Sequence, residues 1–465
     1  MFDLDCLRRG ILPLVLAPLM ISAATLGTAA QGAGQNAQPS ADAPASAAAG
    51  QKKLDIIRIG YLRTYERTLA LSVLDIPPED TGLAGAEVGI NDNDTTGSFM
   101  GQKFVLDAVT LKPGDDAAAA IEKMLADGNH YIVTDLSAED TLKAADLAKE
   151  KSAIILNAGA EDDRLRNDDC RYNMFHTAPS RSMLTDGLAQ YLMWKQWREW
   201  AIVEGEHEKD KLFAEALKRS ATKFGGKIVA EKVFEDAGGA RATDSGQALV
   251  QRQIPVFLQD LPDHDVLLVA DESEVFGSYI PWRTWVPRPV AGTAGLVPGS
   301  WHPASEQWGG AQIQNRFEDA TGRRMESKDM QAWTAVRIIG EAASRTQSTD
   351  PEKIDAFIRS DDFAVAAFKG QRLTFRDWDW QLRQPVLLGT ENSVVTASPQ
   401  EGFLHQVSEA RHAGLRPAGI DLHVRQLGPG RLGRRGGWKD RPSRSMRDRR
   451  QKATRQEDGR VATTD

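Results

Sequence analysis

The 465 residues contain no HExxH, no paired CxxC, no GKS or GKT phosphate loop and no GxSxG elbow, and the eight histidines are scattered. Zinc hydrolysis, P-loop chemistry and elbow-type nucleophilic catalysis therefore lack positive support, and neither an enzymatic activity nor a cofactor is expected. Cysteine is equally scarce. Cys6 lies in a segment expected to be removed, which leaves Cys170 alone. An odd thiol in an oxidising compartment suggests an intermolecular bridge or a lost partner, and a plain buried side chain is the alternative. Basic excess is missing from the body of the chain. The formal charge is −8, yet residues 408–465 hold 15 Lys and Arg against 7 Asp and Glu, so the preceding 407 residues carry −16. An acidic body argues against nucleic acid as partner, because phosphate contacts need a basic face. Gly and Pro together number 61, which excludes collagen-like or wholly disordered chains.

Only one apolar run is long. Arg8 and Arg9 precede residues 11–26, which are broken by Pro13 and Pro18 and followed by Thr28, Ala29 and Ala30. That order is the order of an export signal, and the run is short of the ~20 residues a membrane span needs. Residues 1–30 are thus expected to be removed on export to the periplasm, with no lasting membrane insertion. Residues 31–53 are Ala, Gln, Ser, Gly and Pro with almost no large apolar side chain, and should form a disordered leader.

From residue 54 onward, short β-branched runs alternate with helical patterns. Strands are predicted at 56–61, 102–111, 130–133, 153–157 and 172–178, with helices at 82–92, 115–126 and 138–151 between them. After a helix at 180–196 the rhythm restarts with strands at 200–204, 228–234 and 266–270 and helices at 210–224 and 246–258. A helix at 330–345 places Trp333, Val336, Ile339 and Ala343 on one face, and a last strand covers 386–388. Such βαβ alternation gives parallel sheets with right-handed crossovers. The expectation is an α/β protein of two Rossmann-like lobes joined by a hinge: residues 54–179 form the first lobe, 180–345 mostly the second with hinge-crossing helices, and 346–407 return across the hinge. Ligands of such folds bind at the carboxyl ends of the strands.

The strings IRIGYL, GLAGAEVGINDND, ILNAGA and WTAVRIIGEAAS, together with the export signal, resemble type I periplasmic solute-binding proteins of the branched-chain amino acid class, over roughly residues 54–406. More narrowly, YLRTYERTLALSVLDIPPEDTGLAGAEVGINDNDTTG, NMFHTAPSRSMLTDGLAQYLMWKQW and LTFRDWDWQLRQPVLLGT are similar to substrate-binding proteins associated with pyrroloquinoline-quinone-dependent alcohol dehydrogenase systems. The resemblance implies a monomeric ABC-transporter receptor that hands a small ligand to an inner-membrane permease. It does not identify the ligand.

Candidate contacts are read at the strand ends. Tyr61 and Arg63 follow the first strand, and Arg63 is either an anion partner or a solvated loop charge. Asp135 and Ser137 follow the third, where the Ser137 hydroxyl suits an N-cap, an anion or both. Asn157, Ala158 and Gly159 end the fourth with small residues that permit close approach, Thr177 lies in the short strand after it, and Glu161, Asp162 and Asp163 form an acidic turn. In amino acid receptors that turn offers neutral groups, so three acids argue against an amino acid carboxylate. Glu204, Asp271 and Glu272 end strands of the second lobe. With Glu161 they could converge on an ammonium group or a hard cation such as calcium or a lanthanide, or remain solvated loop acids. Trp282, Trp285, Trp301 and Trp308 could wall a planar ligand, although packing of a long loop is the commoner role, and Trp194 and Trp197 read as core. Asp92, Asp94, Thr96 and Gly97 imitate a calcium loop but lack its twelfth-position Glu, so they read as a helix end and turn. His207 amid Glu204, Glu206 and Glu208 reads as a charged helix start.

Residues 408–465 contain 13 Arg and 2 Lys with almost no apolar pattern. They read as a disordered tail translated from a shifted frame; a genuine basic tail that meets anionic membrane is the competing reading. Peptide mapping of the purified protein, together with sequencing of the locus, decides between them. The shifted-frame reading expects a frame break in the locus, and an intact frame with tryptic peptides beyond Ala410 rejects it.

Overall fold

The computed structural model describes residues 54–65, 76–235, 244–403 and Gly414. The expected signal, the leader and the tail other than Gly414 lie outside the described residues. The first half is built on a five-stranded parallel sheet in the order β2-β1-β3-β4-β5. Its elements are β1 (Asp55–Thr64), α1 (Leu83–Met100), β2 (Gln102–Leu111), α2 (Ala117–Ala126), β3 (Tyr131–Asp135), α3 (Ala138–Glu150), β4 (Ile154–Asn157) and β5 (Met174–His176). The second half repeats the pattern with α4 (Arg181–Trp194), β6 (Glu199–Gly205), α5 (Glu208–Phe224), β7 (Lys227–Phe234), α6 (Asp244–Leu258), β8 (Val266–Ala270), α7 (Ile280–Arg283) and β9 (Val290–Gly292), its parallel sheet ordered β7-β6-β8-β9. Both sheets are covered on both faces, so their central strands are largely apolar and buried: all five residues of β8 are buried, as are all four of β4. The expected α/β fold with two parallel sheets is the one observed.

The remaining elements were only partly visible in the sequence. They are β10 (Val297–Gly299), α8 (Gly310–Thr321), α9 (Ser327–Thr346), α10 (Pro351–Ile358), β11 (Val365–Ala366), β12 (Arg372–Phe375), β13 (Leu382–Arg383), β14 (Val386–Thr390) and β15 (Ser393–Ser398). The strand expected at 386–388 is not the last, because β15 pairs back on it antiparallel.

α9, expected within the span of the second lobe, packs instead on α1 in the core of the first half, and its burial extends around nearly the whole helix. The contact is backbone-close. A Cβ on Gly85 of α1 would lie 2.1 Å from the Asp329 carbonyl oxygen, and one on Gly340 of α9 would lie 2.0 Å from Asn93 Oδ1. The Asn93 amide donates to the Val336 carbonyl at 2.9 Å. Asp329 ties the two helix starts together: it accepts the Gly82 N–H at 2.7 Å and the Glu326 N–H at 2.9 Å, and it takes both guanidinium nitrogens of Arg323 at 2.8 and 2.9 Å. α1 also runs on through Asp92 and Asp94, where a turn was expected. It stops at Gly101 in the left-handed region, and Asp94 reaches the Phe104 N–H at 2.8 Å and the Lys103 ammonium instead.

Other expectations are corrected by packing. Trp194 is exposed because α4 turns that position outward past the end of the core, whereas Trp197 packs partly against the core of the second half. Trp282, Trp285 and Trp308 are exposed, and only Trp301 is core, with its indole N–H donating to Gln314 Oε1 at 3.3 Å. Cys170 is buried, as the plain buried side chain of the alternative reading would be, and burial pushes its thiol up to about 12. Gly414, within the segment expected to be disordered, is buried. Its N–H donates to Asp186 Oδ2 at 2.7 Å and its carbonyl accepts from Lys223 Nζ at 2.9 Å, so a buried ion pair between α4 and α5 holds it.

Gly85→Ala should destabilise the protein by about 1–3 kcal/mol, since a methyl group there forces α1 away from α9; an unchanged urea midpoint would refute the close approach. Asp329→Ala should cost roughly 1–3 kcal/mol, because it leaves the Gly82 and Glu326 amides without their acceptor, while Arg323 keeps Asp80. Denaturant unfolding measures both.

Candidate functional site

In each sheet the chain reverses its direction of winding at one point, between β1 and β3 in the first and between β6 and β8 in the second. Such switch points open a crevice at the carboxyl ends of the strands. Tyr61, Arg63 and Asp135 stand at the first crevice, and Glu204, Asp271 and Glu272 at the second.

Several of the candidate residues are fully engaged in holding the scaffold. Arg63 is buried: Nε donates to Thr110 Oγ1 at 3.0 Å, and the two other nitrogens donate to the carbonyls of Thr81 and Glu79. It clamps the entry to α1 and, being buried, is not a solvated loop charge. Ser137 caps α3 by accepting the Asp140 N–H at 3.1 Å. Asn157 is buried; it donates to the Ala160 carbonyl at 2.8 Å and accepts the N–H groups of Gly159 and Ala160, while Ala158 continues the sheet through the Thr134 carbonyl. Thr177 is buried, with its hydroxyl on the Asn157 carbonyl. Glu204 meets the ammonium of Lys218 at 3.5 Å. Asp271 accepts three amides, those of Val275, Phe276 and Gly277, at 2.9, 2.8 and 2.6 Å; burial still raises its pKa, although these N–H groups oppose the shift. Trp301 lies in the core and faces no crevice.

The acidic turn after β4 is what brings the halves together. Arg181, the first residue of α4, meets Asp162 Oδ2 at 3.0 Å and is bidentate to Glu272 at 2.8 and 2.7 Å. Burial opposes its charge, yet these two carboxylates raise its pKa further above the ordinary value. Asp163 accepts the Ser182 N–H and meets Arg219 of α5 at 3.2 Å. Two of the three acids of the turn are thus consumed by arginines of the second half. None of those cations was singled out in the sequence. The available signal was Arg181 itself, a cation in the first turn of a helix, where the dipole disfavours it.

Around this junction the Glu161 carboxylate and the Tyr61 hydroxyl lack a partner among the described residues, and Asp135 has a single cation. The Glu161 carbonyl accepts the Arg181 N–H at 2.9 Å, but its carboxylate has no hydrogen-bond or ion-pair partner among the described residues. Burial raises its carboxyl to about 7, Glu272 adds to the shift, and Arg181, Arg166 and Lys328 oppose it. Asp135 is held by Lys328 at 3.4 Å, and its carboxylate lies against positions 82 and 159, where a Cβ would come within 3.3 and 2.3 Å of it. The Tyr61 hydroxyl is wholly buried without a partner and would be 2.4 Å from a Cβ at Gly82, so it points into the same corner. Burial and Asp135 raise its pKa well above the ordinary phenol value. Among the described residues no three His, Cys, Asp or Glu side chains gather into a metal-holding group, so Glu161, Glu204, Asp271 and Glu272 do not converge.

A separate cavity of about 880 Å³ opens on the second half beside β9 and the β14–β15 hairpin, with Trp282, Trp197 and Tyr191 in its wall. No residue of the first sheet lines it. No helix among the described residues is long and apolar enough to cross a membrane.

Residues 79–258 match a protein-family model described as periplasmic binding protein. No curated protein matches the chain. Among solved structures, an ABC transporter substrate-binding protein from Sphaerobacter thermophilus is 15% identical, with 74% of this chain and 98% of that chain covered at a TM-score of 0.59. A branched chain amino acid ABC transporter periplasmic ligand-binding protein from Burkholderia xenovorans LB400 is 15% identical over 73% and 95% at 0.57. A solute binding protein of an ABC transporter from Rhodopseudomonas palustris BisB5, solved with 3,4-dihydroxy benzoic acid, is 12% identical over 73% and 95% at 0.55. What the chain shares with these structures is the type I periplasmic binding protein fold.

Proposed function

We propose that the chain is a periplasmic receptor of an ABC transporter, which closes its two halves on a small solute and presents the closed form to a permease. The observation that carries this reading is Arg181, which joins Asp162 after β4 to Glu272 after β8 and so brings the carboxyl ends of both sheets to one junction. The match of residues 79–258 to the periplasmic binding protein family supports it. The reading requires no chemical step, only contacts from the solute to both halves, so that affinity and closure are linked. The finer reading is a solute connected with pyrroloquinoline-quinone-dependent alcohol oxidation. Its support is the likeness of the strings at 61–97, 173–197 and 373–390 to receptors of those systems.

A thermal-shift screen of the exported chain against alcohols, their acids, amines, amino acids, the quinone and divalent or trivalent cations tests the reading. A solute that binds only the native state at 100 times its Kd stabilises by about 2.7 kcal/mol. The same solute should reduce the radius of gyration in solution scattering. Stabilisation without contraction would reject closure while leaving binding intact.

A further inference from the structure

We infer that the cavity beside β9 and the β14–β15 hairpin is a second ligand site, apart from the junction of the two halves, and that it takes an uncharged aromatic solute stacked on Trp282. The site goes beyond the receptor reading and does not require the halves to close on its guest.

The wall of the cavity is a rigid frame. Asp271 pins the turn after β8 through its three amides. Thr293 ties β9 to that turn: its N–H donates to the Val269 carbonyl at 2.9 Å, and its hydroxyl accepts the Asp271 N–H at 2.9 Å. The passage from β9 to β10 lies backbone on backbone. A Cβ on Gly292, where φ is +111°, would be 2.2 Å from the Val269 carbonyl oxygen, and one on Gly295 would be 2.3 Å from that of Val290. Leu296 closes the passage by donating to the Val290 carbonyl at 3.0 Å and accepting the Gly292 N–H at 3.1 Å. On the other side the wholly buried Ile280 anchors α7, and Trp282, two residues on, is 81% exposed at the cavity. A frame held in this way loses little freedom when a guest enters.

Size, surface and charge together name the occupant. A void of ~150 Å³ holds benzene, so a cavity of about 880 Å³ has room for two fused rings and their substituents. Trp282, Trp197 and Tyr191 offer indole and phenol rings, and Leu296, Val297 and Val395 add aliphatic wall. Trp282, Val297 and Val395 are all left in water. An aromatic guest packed on such rings gains more than its buried area alone supplies. The charges around the cavity are already matched. Arg288 pairs with Asp263, Asp271 has its three amides, Glu274 is engaged, and Glu391 stands exposed at the hairpin turn. Lys195 lies over the Tyr191 ring, 5.6 Å from its centre. A ligand carboxylate would face Asp271 and both glutamates with Arg288 already paired. An ammonium group would find only Glu391, which water already solvates. Either charge therefore loses hydration without gaining a buried partner, and a neutral ring system does not.

Calorimetry on the exported chain with naphthalenemethanol, naphthoate, naphthylmethylamine and the saturated decahydronaphthalenemethanol tests the site, with solution scattering on the same samples. The expected result is one molecule of naphthalenemethanol bound by the wild type, the other three at least fivefold weaker, and no contraction. Trp282→Ala, at an exposed position whose loss should leave the fold intact, should weaken binding about tenfold. Val395→Asp, which sets a charge in the hairpin wall, should do the same. Naphthalenemethanol bound unchanged by both variants, or the charged or saturated compounds bound as tightly by the wild type, would overturn the assignment, as would no binding at all. Binding that contracts the molecule and survives both substitutions would put the aromatic solute between the halves, which overturns this site and upholds the receptor reading. A wild type that is dimeric in scattering and monomeric as Trp282→Ala would give the face to a second copy of the chain and overturn the site as well.

Discussion

A carboxylate removed from water has to be met by cations or N–H groups, and this requirement governs how the two halves of the molecule meet. Asp271 is answered within its own loop by three amides, which fixes the turn after β8 and leaves the next residue, Glu272, to face outward. Glu272 and Asp162 are then answered together by Arg181, and Asp163 by Arg219. Behind them Asp186 is answered by Lys223, Ser220 and the Gly414 N–H, which locks α4 against α5 and so fixes where Arg181 stands. Each answer positions the next group, and the chain of answers stops at Glu161. What remains is the Glu161 carboxylate, surrounded by charges but without a direct partner among the described residues, and, at the corner between Gly82 and Asp135, the unpartnered Tyr61 hydroxyl.

Much of the fold was legible because the strands of a parallel sheet are buried on both faces. Runs such as VLLVA and IILN announce themselves, and β8 falls where the pattern puts it. Some of the elements that escaped are too short for any periodicity to register, β11 with two residues, β13 with two and β9 with three, but α8, α10 and β15 escaped as well. α1 was read too short because its acids resemble a turn, while in the structure Asp94 serves the start of the next strand and Asp92 takes the Trp333 indole N–H. The site was legible as a place and less so as a set of contacts. Strand ends pointed to Tyr61, Asp135, Glu161 and Glu272. Whether a polar residue there is free or spent depends on partners far along the chain, 91 residues away for Arg181 and Glu272, and no local pattern carries that. Arg63 and Asn157 looked available from the sequence and proved to be spent on backbone.

The proposed closure has to be accommodated where the chain passes between the halves. It does so after β5, again between β10 and the buried Trp301, and a third time between β13 and β14. Two of these passages carry a proline, Pro179 and Pro385, whose φ is fixed, so little of the rotation can be absorbed at those residues. The same two passages are sewn together. Gln384 donates to the Thr177 carbonyl at 2.8 Å, Gln381 donates to the carbonyls of His176 and Ala178, and Lys369 donates to Gln384 Oε1 at 2.5 Å. A pair of strands bonded in this way moves as one ribbon. Opening therefore cannot proceed by independent flexing of three connections; it must bend one stiff double strand and the single passage at Gly299–Trp301 together. In the proposed opening Asp162 and Glu272 part, because they lie on opposite sides of this joint. Arg181 can then stay with only one of them when the halves part, so the energy of closing depends on the same arginine that defines the closed junction.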